Sequence, residues 1–255
     1  MIFDPSGHLK YYLCDVPKAG CTTWQHIKNR RFNSRKRRPV THLKNVKRIS
    51  NRDPSFKRFM KVRHPFDRLV SLFYNMKYRE SNNLNRGPDL ENLNYILRIF
   101  NISHEEFKFS NFVDFLISDE TNHPAPIFLD RHWDSFSDLC HVCDQQFTFI
   151  SRLETIHADS GPILKILEYP ENYLENRKRE NHVARRISRN DTNISLNSDL
   201  LFGKHLIEFE KNPKEKLRKL YKRYEADFSA FGYDYDFDSN IAHCLIKTES
   251  GKSCC

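Results

Sequence analysis

No apolar run in the chain approaches the roughly 20 residues that a membrane-crossing helix requires. The start, Met1-Ile2-Phe3-Asp4-Pro5, lacks the basic-then-apolar order of a secretory leader. Seven cysteines (14, 21, 140, 143, 244, 254, 255) include one closely spaced pair, Cys140-x-x-Cys143, where a structural zinc site wants a second. Zinc is thereby disfavoured, and Cys140 and Cys143 are expected to form or join disulfides. An internal repeat, a metal-ligand set and the leading glycines of a Walker loop are all missing. The hydrophobic share is low at 38%, although 20 Phe compensate by area per residue. Positive charge is in excess: 42 Lys and Arg against 33 Asp and Glu leave a formal +9. Solubility accounts for some excess, and an anionic partner (nucleotide, glycosaminoglycan or nucleic acid) accounts for more. A length of 255 residues suffices for one α/β domain with a full core.

The chain is organised around Tyr11-Tyr12-Leu13-Cys14-Asp15-Val16-Pro17-Lys18-Ala19-Gly20-Cys21-Thr22-Thr23-Trp24-Gln25. A β-rich apolar run breaks at Pro17, a small polar turn follows, and Trp24 and Ile27 begin a helical spacing. A strand turning sharply into a helix leaves the first helical N–H groups unpartnered, with the positive end of the dipole behind them. Such a junction is an anion site. Lys18 adds a mobile ammonium, Gly20 admits close backbone approach, and Thr22 and Thr23 supply hydroxyls. The competing reading is an ordinary strand–turn–helix junction with a surface lysine.

A second junction follows at Phe59-Met60-Lys61-Val62-Arg63-His64-Pro65-Phe66-Asp67-Arg68-Leu69-Val70-Ser71. Pro65 suits a first helical turn, and Phe66, Leu69, Val70 and Phe73 form a buried stripe. Arg63 then sits at the carboxyl end of a strand, where open α/β sheets bind ligands. Ser71 shares a helix face with Asp67 and Asn75. Two such junctions suit a nucleotide with two phosphate positions.

Elsewhere, Arg30, Arg31, Arg35, Lys36, Arg37 and Arg38 form a basic cluster. Residues 81–94 are polar around Gly87-Pro88 and read as a loop. Ser110 is placed to N-cap a helix carrying Phe112, Val113, Phe115 and Leu116. Residues 147–150 read as a buried strand, followed by a helix through Ile163, Leu164 and Leu167. Residues 185–199 are polar and expected to be mobile, closing as a lid. The last helix puts Leu217, Leu220, Tyr221, Tyr224 and Phe228 on one stripe and stops at Gly232. Alternating strands and helices imply a parallel sheet covered on both faces.

Four blocks carry a resemblance. Pro-Lys-Ala-Gly-Cys-Thr-Thr-Trp resembles the 5′-phosphosulfate loop of Golgi carbohydrate sulfotransferases, and Val-Arg-His-Pro-Phe-Asp-Arg-Leu-Val-Ser resembles their 3′-phosphate element. Arg131-His132-Trp133 with Cys140-His141-Val142-Cys143 is similar to a His-Trp and cysteine segment of that family. Leu220 to Tyr233 is similar to its C-terminal helix. The resemblance runs in order from about residue 9 to 235, nearest the chondroitin, dermatan and HNK-1 type enzymes. It implies an α/β, P-loop-NTPase-like three-layer fold with a central parallel sheet. The domain division expected is a tail over 1–8, one sulfotransferase domain over 9–238, and a tail over 239–255.

The resemblance further implies 3′-phosphoadenosine-5′-phosphosulfate as co-substrate, no metal, and a glycan acceptor of proteoglycan type that is itself anionic. Nucleic acid is not implied as a partner. Lys18, Gly20, Cys21, Thr22 and Thr23 would hold the 5′-phosphate, and Arg63 with Ser71 the 3′-phosphate. Lys18 would also meet charge on the leaving oxygen. A sugar hydroxyl needs a general base. Of 12 histidines, His42 ranks first, following Val40-Thr41, and His132 second; His64 and His26 are discounted. The family implies the Golgi lumen, where relatives carry an N-terminal anchor that this sequence does not display. Acceptor triplets at Asn101, Asn190 and Asn193 point weakly to the same compartment. Two readings compete: a catalytically silent glycan-binding module on the same fold, and a small nucleotide kinase, which lacks its Walker loop and magnesium-binding acid.

Overall fold

The structure, a computed structural model, describes residues 2–3, 9–20, 57–81, 88–118, 132–166, 213–237 and 241–244. They divide into two compact units, one built on residues 1–63 and 136–178, the other on 64–135 and 179–254.

The first unit holds a four-stranded sheet in the order β1 (Ile2–Phe3), β2 (Leu9–Cys14), β3 (Lys57–Val62), β4 (Phe149–Arg152). β2, β3 and β4 are parallel, while β1 adds an antiparallel edge. Phe59, Met60, Lys61 and Val62 are buried in succession, as strands of parallel sheets are. Phe59 stacks on its register partner Phe149 at 5.6 Å. α4 (Phe136–Cys140) follows the second unit's segment in the chain, and α5 (Ile156–Ile166) packs on β4, burying Ile163 and Leu164. Leu167, expected on that helix, lies outside the described residues.

The second unit is helical: α1 (Pro65–Ser81), α2 (Pro88–Phe100), α3 (Phe109–Ile117) and α6 (Pro213–Phe231), with an antiparallel pair β5 (Tyr233–Asp236) and β6 (Ile241–Cys244). The expected stripes are its core, except that Tyr221, expected on the α6 stripe, is only half-buried. Phe66, Leu69, Val70 and Phe73 are buried on α1, and Leu217, Leu220, Tyr224 and Phe228 on α6. Aromatic edges meet faces at 5.1 Å between Phe66 and both Phe228 and Tyr235. Gly232 ends α6 at φ +65°, the left-handed stop that glycine takes without strain.

Several expectations need correction. Residues 88–94, read as loop, begin α2: Pro88 opens the helix as Pro65 opens α1. Their polarity hid a stripe of Leu93, Ile96 and Leu97 that is buried. Ser110 does not cap α3. The cap is Lys108, whose N–H donates to Asn111 Oδ1 at 2.8 Å, the reciprocal half of a capping box needing no hydroxyl at the cap. β4 starts two residues later than read and leaves Ile150 41% exposed. Ile2–Phe3 and Ile241–Cys244, which fall in the expected tails, are strands.

Candidate active site

The first unit places the lysine loop directly after β2. Val16 and Ala19 are both 1% exposed and pin the loop from beneath, while Ala19 N–H closes the turn onto the Val16 carbonyl at 3.4 Å. Between and beyond them Lys18 adopts φ +65° and Gly20 φ +82°. A lysine there costs on the order of 1 kcal/mol or more, and such turns gather successive N–H groups into an anion-binding concavity. The left-handed φ favours glycine at position 20, and a Cβ there would also press on Leu153 Cδ1 at 3.1 Å, so that side chain would have to give by a few tenths of an ångström. Arg63, one residue past β3, donates from Nη1 to the Lys18 carbonyl at 3.4 Å. That long contact joins the two sequence junctions and leaves most of the guanidinium fork to other acceptors.

Two further contacts brace this loop. Lys61, 2% exposed in β3, pairs with Asp15 Oδ1 at 2.5 Å. A disulfide joins Cys14, the last residue of β2, to Cys140 at the end of α4, across 126 residues of sequence. Cys143 is disulfide-bonded as well. The expectation that Cys140 and Cys143 join disulfides therefore holds, with Cys14 the partner that spacing did not indicate.

In the second unit, Ser71 is half-buried on α1 along with Asn75, whereas Asp67 is fully buried. His132 is half-buried and opens a turn whose backbone is gripped by Arg68. The Arg68 guanidinium, with no exposure, donates to the carbonyls of His132 at 2.9 Å, Trp133 at 3.4 Å, and Asp134. Tyr224 Oη donates to the Trp133 carbonyl at 2.5 Å; burial, first among its causes, pushes this phenol up to about 12. Trp133 meets Phe115 edge-on at 5.3 Å. His64 is a core residue, 3% exposed, its Nε2 donating to the Asp234 carbonyl at 3.3 Å amid Phe66, Phe228 and Tyr233.

The structure thus brings Lys18, Gly20 and Arg63 together in one unit and holds Ser71 and His132 in the other. Cys21, Thr22, Thr23 and His42, the helix expected from Trp24, the basic cluster and the 185–199 segment lie outside the described residues. Sequence reading missed Lys61, Asp15, Arg68 and Tyr224. Lys61 had a signal: a lysine amid consecutive buried apolar strand residues demands a carboxylate. Among the described residues no group of three or more His, Cys, Asp or Glu is arranged to hold a metal, and no helix is long and apolar enough to cross a membrane.

A lysine loop and an arginine stand at the carboxyl ends of adjacent parallel strands of an α/β protein, the place where open α/β sheets bind ligands. Residues 2–234 match the sulfotransferase family, and the chain belongs to that family, with carbohydrate sulfotransferases as its relatives. It is 25% identical to carbohydrate sulfotransferase 12 of Xenopus laevis over 266 residues, covering 86% of this chain and 57% of that protein. It is 27% identical to carbohydrate sulfotransferase 11 of Rattus norvegicus, covering 65% and 52%. Against carbohydrate sulfotransferase 8 of Mus musculus the identity is 27%, covering 71% and 46%. The chain spans about half the length of these curated relatives. No solved structure matches it.

Proposed function

We propose that this protein is a carbohydrate O-sulfotransferase that moves a sulfuryl group from 3′-phosphoadenosine-5′-phosphosulfate to a hydroxyl of an anionic, proteoglycan-type glycan. The observation that carries this reading is the Arg63 contact to the Lys18 carbonyl, at a loop whose Lys18 and Gly20 are both left-handed. On this reading the P-loop-like sheet extends to a three-layer arrangement around one sulfotransferase domain.

The residues present suit the donor. Lys18 offers its ammonium to the bridging oxygen, and the Gly20–Thr23 amides and hydroxyls suit the 5′-phosphate. Arg63, with a planar fork largely uncommitted, suits the 3′-phosphate together with Ser71. Transfer is an in-line displacement. The acceptor oxygen bonds to sulfur, the bond from sulfur to the phosphate oxygen breaks, and the electron pair departs with that oxygen, where Lys18 stabilises it. The acceptor's proton passes to a histidine, His42 first and His132 second. The net +9 charge draws in both anionic reactants. Disulfide-bonded cysteines support a luminal, Golgi-type location.

Radiolabelled sulfate transfer from the donor to a panel of desulfated chondroitin, dermatan and glucuronyl-capped glycans tests the reading. Transfer to at least one acceptor is expected. Retention on a donor-product resin without transfer to any acceptor would instead make the chain a silent binding module.

A further inference from the structure

We propose that Asn101 is an N-glycosylation site, occupied by an asparagine-linked oligosaccharide. Asn101-Ile102-Ser103 is an acceptor triplet without proline at its middle position. Triplets of this kind arise often by chance, so geometry has to decide.

α2 ends in a Schellman motif. The Ile102 N–H donates to the Leu97 carbonyl at 3.1 Å, and the Asn101 N–H to the Arg98 carbonyl at 3.4 Å. Asn101 occupies the left-handed position at φ +49°. This cap uses only the backbone of Asn101. Its side chain is exposed and enters no hydrogen bond among the described residues, so a substituent on Nδ2 disturbs no capping contact.

Ser103 is held just beyond. Its N–H donates to Glu106 Oε2 at 2.8 Å, and its Oγ accepts from the Glu106 N–H at 3.3 Å. Hydrogen bonds from the Ser103 backbone N–H first, and from the Ser103 side chain second, hold the Glu106 carboxyl below its ordinary value. The triplet is thus a fixed surface turn. Beside it lies an open concavity of about 780 Å³ in which Asn94, Arg98, Asn101 and His104 alternate with apolar Leu97 and Ile102, a mixed surface against which the first sugar rings can rest.

A separate observation bears on the compartment. Cys14–Cys140 and the bonded Cys143 are the chemistry of a chain that has met an oxidising lumen, where oligosaccharide transfer to asparagine takes place. The donor is a polyprenyl-diphosphate-linked oligosaccharide. A bond forms between Asn101 Nδ2 and its anomeric carbon, the bond from that carbon to the diphosphate oxygen breaks, and the electron pair leaves with the diphosphate. The amide gives up one proton to the transferring enzyme.

The test is this chain, fused behind a cleavable secretory leader, secreted from cultured eukaryotic cells, treated with peptide N-glycosidase in heavy-oxygen water and mapped by mass spectrometry. Conversion of Asn101 to heavy-labelled aspartate is expected. Asn101→Gly, which keeps the left-handed cap, and Ser103→Ala should each remove one glycan's gel shift, and Ser103→Thr should retain it. Unlabelled Asn101 in chains whose Cys14–Cys140 bond is intact overturns the proposal and leaves this asparagine a helix cap alone. An undiminished shift in Asn101→Gly overturns it equally. Sulfate transfer is no part of the readout, so the outcome stands apart from the proposed function.

Discussion

Lys61 Nζ lies 2.5 Å from Asp15 Oδ1, linking the interior of β3 to the residue that begins the lysine loop. The two ends of this pair are unequal: the lysine side chain is 2% exposed and the carboxylate 25%. Removing one partner of a buried pair strands the other, and the cost follows how deeply the survivor is buried. Asp15→Ala strands the lysine and should lower unfolding free energy by roughly 3–5 kcal/mol. Lys61→Met strands a carboxylate that water still reaches, and should cost less, on the order of 1–2 kcal/mol. Urea titrations of both variants and of the Asp15→Ala/Lys61→Met double variant check this. The double variant should recover part of the Asp15→Ala loss, and equal costs for the two single variants would contradict the asymmetry.

Lys18→Ala and Arg63→Ala should each abolish sulfate transfer while preserving the fold. Neither side chain is a core residue; both are half-buried at the loop. Loss of a charge-assisted phosphate contact should cost roughly 1.5–3 kcal/mol in donor affinity, or more in rate. Calorimetric titration with the desulfated donor product, alongside circular dichroism, measures both. Unchanged affinity in Arg63→Ala removes the 3′-phosphate role from that residue.

On the proposed mechanism the general base is His42 or His132. His42→Ala should lose roughly 10²–10⁴-fold in turnover with donor affinity intact. His132→Ala should act more on acceptor KM or on stability, because the His132 backbone is already locked by Arg68. Steady-state kinetics of both variants decide the order. Turnover erased by His132→Ala and kept by His42→Ala reverses it.

Alkaline stability should report on Tyr224. Its phenol is pushed from about 10 to about 12 by folding. The unfolded chain therefore releases this proton first, and the stability the neutral phenol contributes is complete below pH 10 and lost as pH rises toward 12. Two units correspond to roughly 2–3 kcal/mol. Tyr224→Phe should be less stable near neutrality, by about 1 kcal/mol for the lost bond to Trp133, yet lose less between pH 10 and 12. Parallel denaturant curves across that range, wild type against variant, give the difference.

What the sequence determined by itself was whatever depends on near neighbours. The stripes of α1 and α6, the stop at Gly232, the placement of Arg63 past a strand and the glycine of the lysine loop all follow from spacing and turn chemistry, which operate within a few residues. Where local cues conflicted, reading failed: polar residues masked the start of α2, and Asn111 supplied from inside α3 the cap that Ser110 was expected to give. The tertiary structure alone decided which distant groups meet. Cys14 found Cys140 across 126 residues, Lys61 found Asp15 across 46, and Arg68 closed on the His132 turn across 64. A buried charge or thiol announces in sequence only that it needs a partner. Which partner it gets depends on how strands and helices are laid beside one another, and that order is a property of the packed core rather than of any short stretch of chain.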